Sequence, residues 1–272
     1  MNDENVKFLQ DNLLYMGFGE KFNEKIKEEI ASGNEEFSLK GSMDFPQPVK
    51  VEGKELEPDT VTYDLKFKKG KEADMYFFNG FQATLEKPGQ SEQASQYFYV
   101  NKGRGVSAKE SFNLLSGRAV NKNILNKDDE KVNVWMKIDF DKRTEKDNNY
   151  EMKTYNKNYG FDLKELVNKS PILGLDKPET KDRLIQSLER GNLHGVSFMH
   201  KGLEIKGFVS SDPQFKQLNF FKDNLKPVYT AGKANQAGVE MVAVNEEKES
   251  KAQKEAHIVE AAVVETAGKR KR

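Results

Sequence analysis

Lys102 and Arg104 stand in the five-residue stretch NKGRG, residues 101–105, between an alternating run at 97–100 and a segment with helical spacing. Glycines let a backbone close on a phosphate, and a helix start offers free amides and a partial positive charge. Two cations beside such a terminus would add a Coulomb attraction. Ser107 and Glu110 have the S-x-x-E spacing of a capping box, which marks the helix start. The segment GRGVSAKES, however, meets neither the Walker pattern nor the dinucleotide pattern. The loop reads first as a strand-to-helix turn, with contact to a nucleic-acid backbone as the second reading.

Other chemistry-bearing residues are sparse. Asp139 and Asp141 are paired carboxylates on one strand face; without further ligands at a fixed spacing they read as a solvated face. His194 and His200 flank a short strand with no serine–acid partners. Trp135 points away from the neighbouring alternating apolar residues and reads as a half-buried surface ring. Lys66, Lys68, Lys69 and Lys71 lie near Tyr63 and Phe67. Single-strand binding and lysine protection of an edge strand explain that run equally well. The chain ends in GKRKR. The nucleic-acid-binding candidates are thus Lys102, Arg104, Arg118 and Lys122, with Lys269, Arg270, Lys271 and Arg272 at the end. No catalytic, metal or cofactor residue is assigned, no cofactor is implied, and the chain reads as non-enzymatic.

Bulk composition narrows the classes further. Lys+Arg and Asp+Glu number 44 each, so no global field draws this chain to nucleic acid or membrane, and such binding must come from a local cluster. The absence of cysteine excludes disulfides and thiolate chemistry. The first residues lack the basic and apolar regions of a signal peptide, and no run approaches a bilayer span, so a cytoplasmic protein without membrane contact is expected.

Periodicity places the elements. Helices are expected over 6–15, 20–32, 107–116, 162–168 and 179–190. Phe22, Ile26 and Ile30 mark the second, and Leu184, Ile185 and Leu188 the last. Alternation marks strands at 37–39, 63–67 and 132–140, with further strands over 196–198, 203–209 and 215–221. Asn79-Gly80 predicts a hairpin turn inside MYFFNGFQATL. IKEEIASGN (26–34) and LIQSLERGN (184–192) share aliphatic spacing and a Gly-Asn end, and each precedes strand signal. Chance similarity and a duplicated helix-then-strands module both account for this. The expected fold is α+β, antiparallel sheets with packed helices, as one compact unit or two related helix-plus-strands lobes. The divisions are 1–130, 131–229 and a disordered charged tail over 230–272.

Five stretches carry a family resemblance: NLLYMGFGEKFNEKIKEEIASGNEEFSL, MYFFNGFQATL, FYVNKGRGVSAKESFNLLSGRAVNK, NVWMKIDF, and SLERGNLHGVSF with DPQFKQLNFF. Through them the chain resembles the domain-of-unknown-function proteins of Bacteroidales conjugative transposons and plasmids, over residues 6–228. Relatives of the C-terminal portion are often labelled topoisomerase-associated. The resemblance implies genomic company and supplies no catalytic residue. The leading expectation is a binding or scaffold protein accessory to DNA processing, transfer or host interaction, with a protein partner from the element or host. The alternative is direct, sequence-non-specific nucleic-acid binding through the basic loop and end. Neither oligomeric state nor partner is encoded in any pattern above.

Overall fold

The computed structural model describes residues 2–49, 53, 55–71, 75–101, 104–125, 130–232 and 242–243. The chain opens with α1 (Asp3–Tyr15) and α2 (Asn23–Ser32), then runs through β1 (Glu36–Phe45), β2 (Asp59–Lys69), β3 (Tyr76–Glu86) and β4 (Ala94–Tyr99). These four strands form an antiparallel meander in sequence order. α3 (Ala108–Leu115) leads into a second sheet of β5 (Val120–Leu125), β6 (Lys131–Arg143) and β7 (Tyr150–Asn156). α4 (Leu163–Lys169) and α5 (Pro178–Glu189) precede the third sheet, β8 (His194–His200), β9 (Leu203–Asp212), β10 (Gln217–Lys222), β11 (Pro227–Gly232) and β12 (Val242–Ala243). The fold is α+β with antiparallel sheets, as the alternating strands imply.

Two helices followed by a meander therefore occur twice, on either side of α3 and the middle sheet. That is the arrangement suggested by the paired Gly-Asn helix ends. Gly33 and Gly191 both close their helices in the left-handed region, at φ +78° and +76°. The next residue reaches back at both ends, Asn34 Nδ2 to Glu29 and Asn192 Nδ2 to Ser187. The expected division at 130/131 falls between β5 and β6, which are paired neighbours in the middle sheet. Of the expected tail over 230–272, Thr230–Gly232 complete β11 and Val242–Ala243 pair with it; the rest lies outside the described residues.

The middle sheet separates two cores. Val120, Met136, Ile138 and Met152 pack with the aromatic core of the first meander. The opposite face sends Trp135 and Tyr155 into a second core with Leu184, Leu188, Phe198 and Phe220. Trp135 is thus buried, 8% exposed, with its ring edge-on to Phe161 at 5.1 Å. The expectation of a half-buried surface ring fails because strict alternation in β6 does not imply that the other face meets water.

A second correction concerns Asn79-Gly80. There is no hairpin there: β3 runs on through it, paired with β2 on both sides of the dipeptide and with β4 from Gly80 to Leu85. The β2–β3 register slips, Lys66 facing Gly80 but Phe67 facing Phe78, so Asn79 is the extra residue of a bulge. The bulge reverses parity. Tyr76 and Phe78 face the core before it, and Phe81, Ala83 and Leu85 face the same core after it. Gly80 sits at φ +156°, and a Cβ there would lie 2.5 Å from the Phe98 carbonyl oxygen. The edge-protection reading of the lysine run is also corrected. β2 is an interior strand; Lys66 bonds Asp64 at 2.7 Å and Lys68 pairs with Glu36 on β1. Gly80→Ala should destabilise the protein by about 2–3 kcal/mol, read as a lowered urea midpoint with the same slope.

Candidate binding site

β4 ends against β3, Val100 N donating to the Asn79 carbonyl at 2.9 Å. Asn101 and Arg104 then exchange both backbone hydrogen bonds, at 2.8 and 2.9 Å, which closes a tight turn. Most amides of the helix start after it are engaged. Ser107 Oγ accepts from Glu110 N at 3.3 Å, and Glu110 Oε2 accepts from Ser107 N at 2.7 Å. Ala108 N donates to the Met16 carbonyl at 2.9 Å, tying the start of α3 to the end of α1. Lys122 Nζ sits 2.8 Å from Glu110 Oε2, so the first turn already carries its own ion pair. The strand-to-helix turn is what the structure builds, and these donors are not available to an anion.

The predicted contact residues separate accordingly. Arg104 is exposed, whereas Lys122 is half-buried on Glu110. Lys102 and Lys269, Arg270, Lys271 and Arg272 lie outside the described residues. Arg118 turns inward. Its Nε donates to the Gly191 carbonyl at 2.9 Å and its Nη2 to Asn113 Oδ1 at 2.6 Å. Asn113 Nδ2 in turn donates to the Arg190 carbonyl and Asn192 Oδ1, at 2.7 and 2.9 Å. The approach is close: a Cβ on Gly191 would stand 2.7 Å from the Ala119 carbonyl oxygen. Burial lowers the Arg118 pKa to about 10, with Asp59 pulling the other way. Arg118 clamps the end of α5 onto α3.

Two connected hollows surround the turn. The first, about 380 Å³, lies between β4, the turn and the middle sheet. Side chains rather than a backbone ladder span its inner end. Gln96 accepts from Tyr150 N at 2.8 Å and donates to its carbonyl at 3.3 Å, while Asn149 Oδ1 accepts from Tyr97 N at 2.9 Å. Its rim carries Tyr97 and Tyr99, rings edge-on at 4.8 Å, with Tyr99 65% exposed. Met136, Met152, Val106 and Ile124 line it below. The second hollow is a broad groove of about 1090 Å³ that shares Arg104, Lys122 and Lys131 and continues past Lys109 and Arg190. Five basic side chains line this groove against one carboxylate, Glu110. Lys109, Lys131 and Arg190 carry no local sequence signal as site residues, because pairing of β5 with β6 and docking of α5 bring them together.

No family model, curated protein or solved structure matches the chain. Among the described residues no group of three metal-ligating side chains converges, and no helix is long and apolar enough to cross a membrane. Asp139 bonds Lys153 Nζ at 2.6 Å and its side chain is only 9% exposed, so the expected solvated face holds for Asp141, which is exposed, and not for Asp139.

Arg118→Ala should destabilise the fold by about 3 kcal/mol, since charged donors to two acceptors are lost, whereas Arg104→Ala should stay within about 0.5 kcal/mol; urea titration separates the two. His194 opens β8 half-buried, and burial holds its imidazole below the ordinary value of 6.5. A depressed folded-state pKa means the unfolded chain takes the proton first, so stability present above pH 6.5 is lost as pH falls below it. His194→Gln should flatten the acid-side decline in urea midpoint between roughly pH 7 and 5. An unchanged decline would assign it to other groups.

Proposed function

We propose that this is a binding protein with no catalytic step of its own, accessory to the DNA processing, transfer or host interaction of a mobile element. The resemblance supplies the mobile-element setting. What supports binding is the pair of hollows around the 101–104 turn, one floored by methionine and aliphatic side chains and rimmed by tyrosines. The carboxylates and amides beside them are spent on the fold: Glu110 caps α3, Asp147 accepts from Thr144 Oγ1, and Gln96 replaces a strand partner. Pockets of roughly 300–1,000 Å³ with an apolar lining and few polar groups suit a ligand or an inserted side chain. A protein partner from the element or host would place an apolar anchor there. Affinity capture from cells carrying the element, with mass spectrometry of bound proteins, tests this. A specific protein should be enriched, and Tyr99→Ser with Ile124→Ser should reduce its recovery. Equal recovery by both forms would remove the tyrosine-rimmed hollow from the reading.

One observation favours direct nucleic-acid binding as a second reading. On a chain of formal charge zero, the groove gathers Arg104, Lys109, Lys122, Lys131 and Arg190 around a single carboxylate, next to an exposed tyrosine. Cations tracking a backbone beside aromatic faces are the elements of sequence-tolerant single-strand binding. Arg104→Ala with Lys131→Ala should lower affinity for a single-stranded oligonucleotide. It should also flatten the log–log salt dependence by about 1.4, at about 0.7 per phosphate contact. Fluorescence anisotropy at several salt concentrations reads both. Absence of binding by the unmodified protein at low salt would remove this second reading.

A further inference from the structure

A third hollow lies on the other side of α3, between the first meander and the α5–β9 module, and encloses about 510 Å³. Three cations line it: Lys87 after β3, Lys109 on the first turn of α3, and Arg118 after α3. Among the described residues none of the three has a carboxylate within 4.0 Å. Asp59 is the one carboxylate on the lining among the described residues. Lys109 and Arg118 share a seat: both stand over the Phe112 ring, Nζ at 5.8 Å and the guanidinium carbon at 5.1 Å from its centroid. Phe112 is itself stacked on Phe45 at 4.0 Å. The Nε and Nη2 bonds of Arg118 hold its guanidinium in place, and Nη1 makes no bond among the described residues.

Like charges held over one aromatic stack repel, and a fold that keeps them there leaves a positive potential for an anion to neutralise. Burial and the Arg118 charge both lower the Lys109 pKa, and burial raises that of Asp59 against the pull of Lys87 and Arg118. A pre-oriented guanidinium with a donor to spare, flanked by two ammonium groups, matches the tetrahedral oxygens of a phosphoryl group better than a single carboxylate. The hollow is also larger than an inorganic ion. Pro46, Pro48, Phe112 and Leu225 supply apolar wall for the remainder of a molecule.

We propose that this hollow binds a small phosphorylated molecule, its phosphoryl group held by Arg118, Lys109 and Lys87. The site is separate from the tyrosine-rimmed hollow; it shares Lys109 with the groove, while Lys87 and Arg118 belong to it and not to the groove. Isothermal titration of the full chain with inorganic pyrophosphate, against chloride at matched ionic strength, tests it. Saturable one-to-one binding is expected, weakened about tenfold or more by Lys87→Gln with Lys109→Gln, since each charge-assisted contact accounts for roughly an order of magnitude. Both lysines are partly or fully solvent-facing, so the variant should keep its urea midpoint and the loss will report the site. Arg104→Ala with Lys131→Ala should leave pyrophosphate affinity unchanged. No saturable binding at millimolar pyrophosphate would overturn the proposal. So would equal binding by the lysine variant, or a loss confined to the Arg104/Lys131 variant, which would move the anion to the groove.

Discussion

A three-stranded sheet with apolar side chains on both faces has to be covered twice, and most of this architecture follows from that requirement. β6 sends Met136 and Ile138 into one core and Trp135 into the other. Burying an aromatic or aliphatic side chain gains about 1.5–3 kcal/mol, so exposing either face would forfeit several such contributions. The first meander covers one side and the α4–α5–β8 to β10 module the other. Neither module adds a backbone strand to the middle sheet. Their attachment relies on side chains that imitate one.

Those attachments share a chemistry that is also used inside the first module, where Asn5 on α1 gives Nδ2 to the Tyr76 carbonyl and takes the Tyr76 N–H, at 3.0 and 2.8 Å. Gln96 does the same to Tyr150. Asn113 and Arg118 bind the last carbonyls of α5. A primary amide or guanidinium offers a donor and geometry equivalent to a peptide group, so it can satisfy buried backbone without extending a ladder. The ion pair of Lys137 with Asp212 adds a charged contact between the middle sheet and β9. The hollows lie where this side-chain stitching stops: beside Gln96 and Asn149, along α3, and next to the Arg118 clamp.

Much of the scaffold was legible in the sequence and little of the site. The capping box at Ser107 and Glu110, the glycine ends of α2 and α5, and the strict alternation of β6 are local signals, and the corresponding elements form. Local pattern failed where a long-range partner decided. Asn79-Gly80 has hairpin chemistry, yet partners on both sides of β3 turn it into a bulge. Trp135 had no visible second core, and the lysines of β2 no visible neighbour on β1. Arg118 looked like a surface cation because nothing within its own segment announces that Gly191 will meet it. The grouping of Lys87 with Lys109, or of Lys131 with Arg190, is purely tertiary.

The bulge at Asn79 gives β3 something like a reading frame with one programmed shift. The core residues carry even numbers, Tyr76 and Phe78, until the shift and odd numbers after it, so the strand carries one residue more than simple alternation requires. Without Asn79 or without Gly80 the remaining residues would alternate without interruption, Phe78 inward, the retained bulge residue outward, Phe81 inward. Loss of a residue elsewhere in the strand interior would instead turn part of the inward set toward water. The strand thus has one place where length is negotiable, and the slack is absorbed within two residues rather than passed to the sheet. A single-residue deletion scan across β3 would show this as a tolerated pair in a run of intolerant positions.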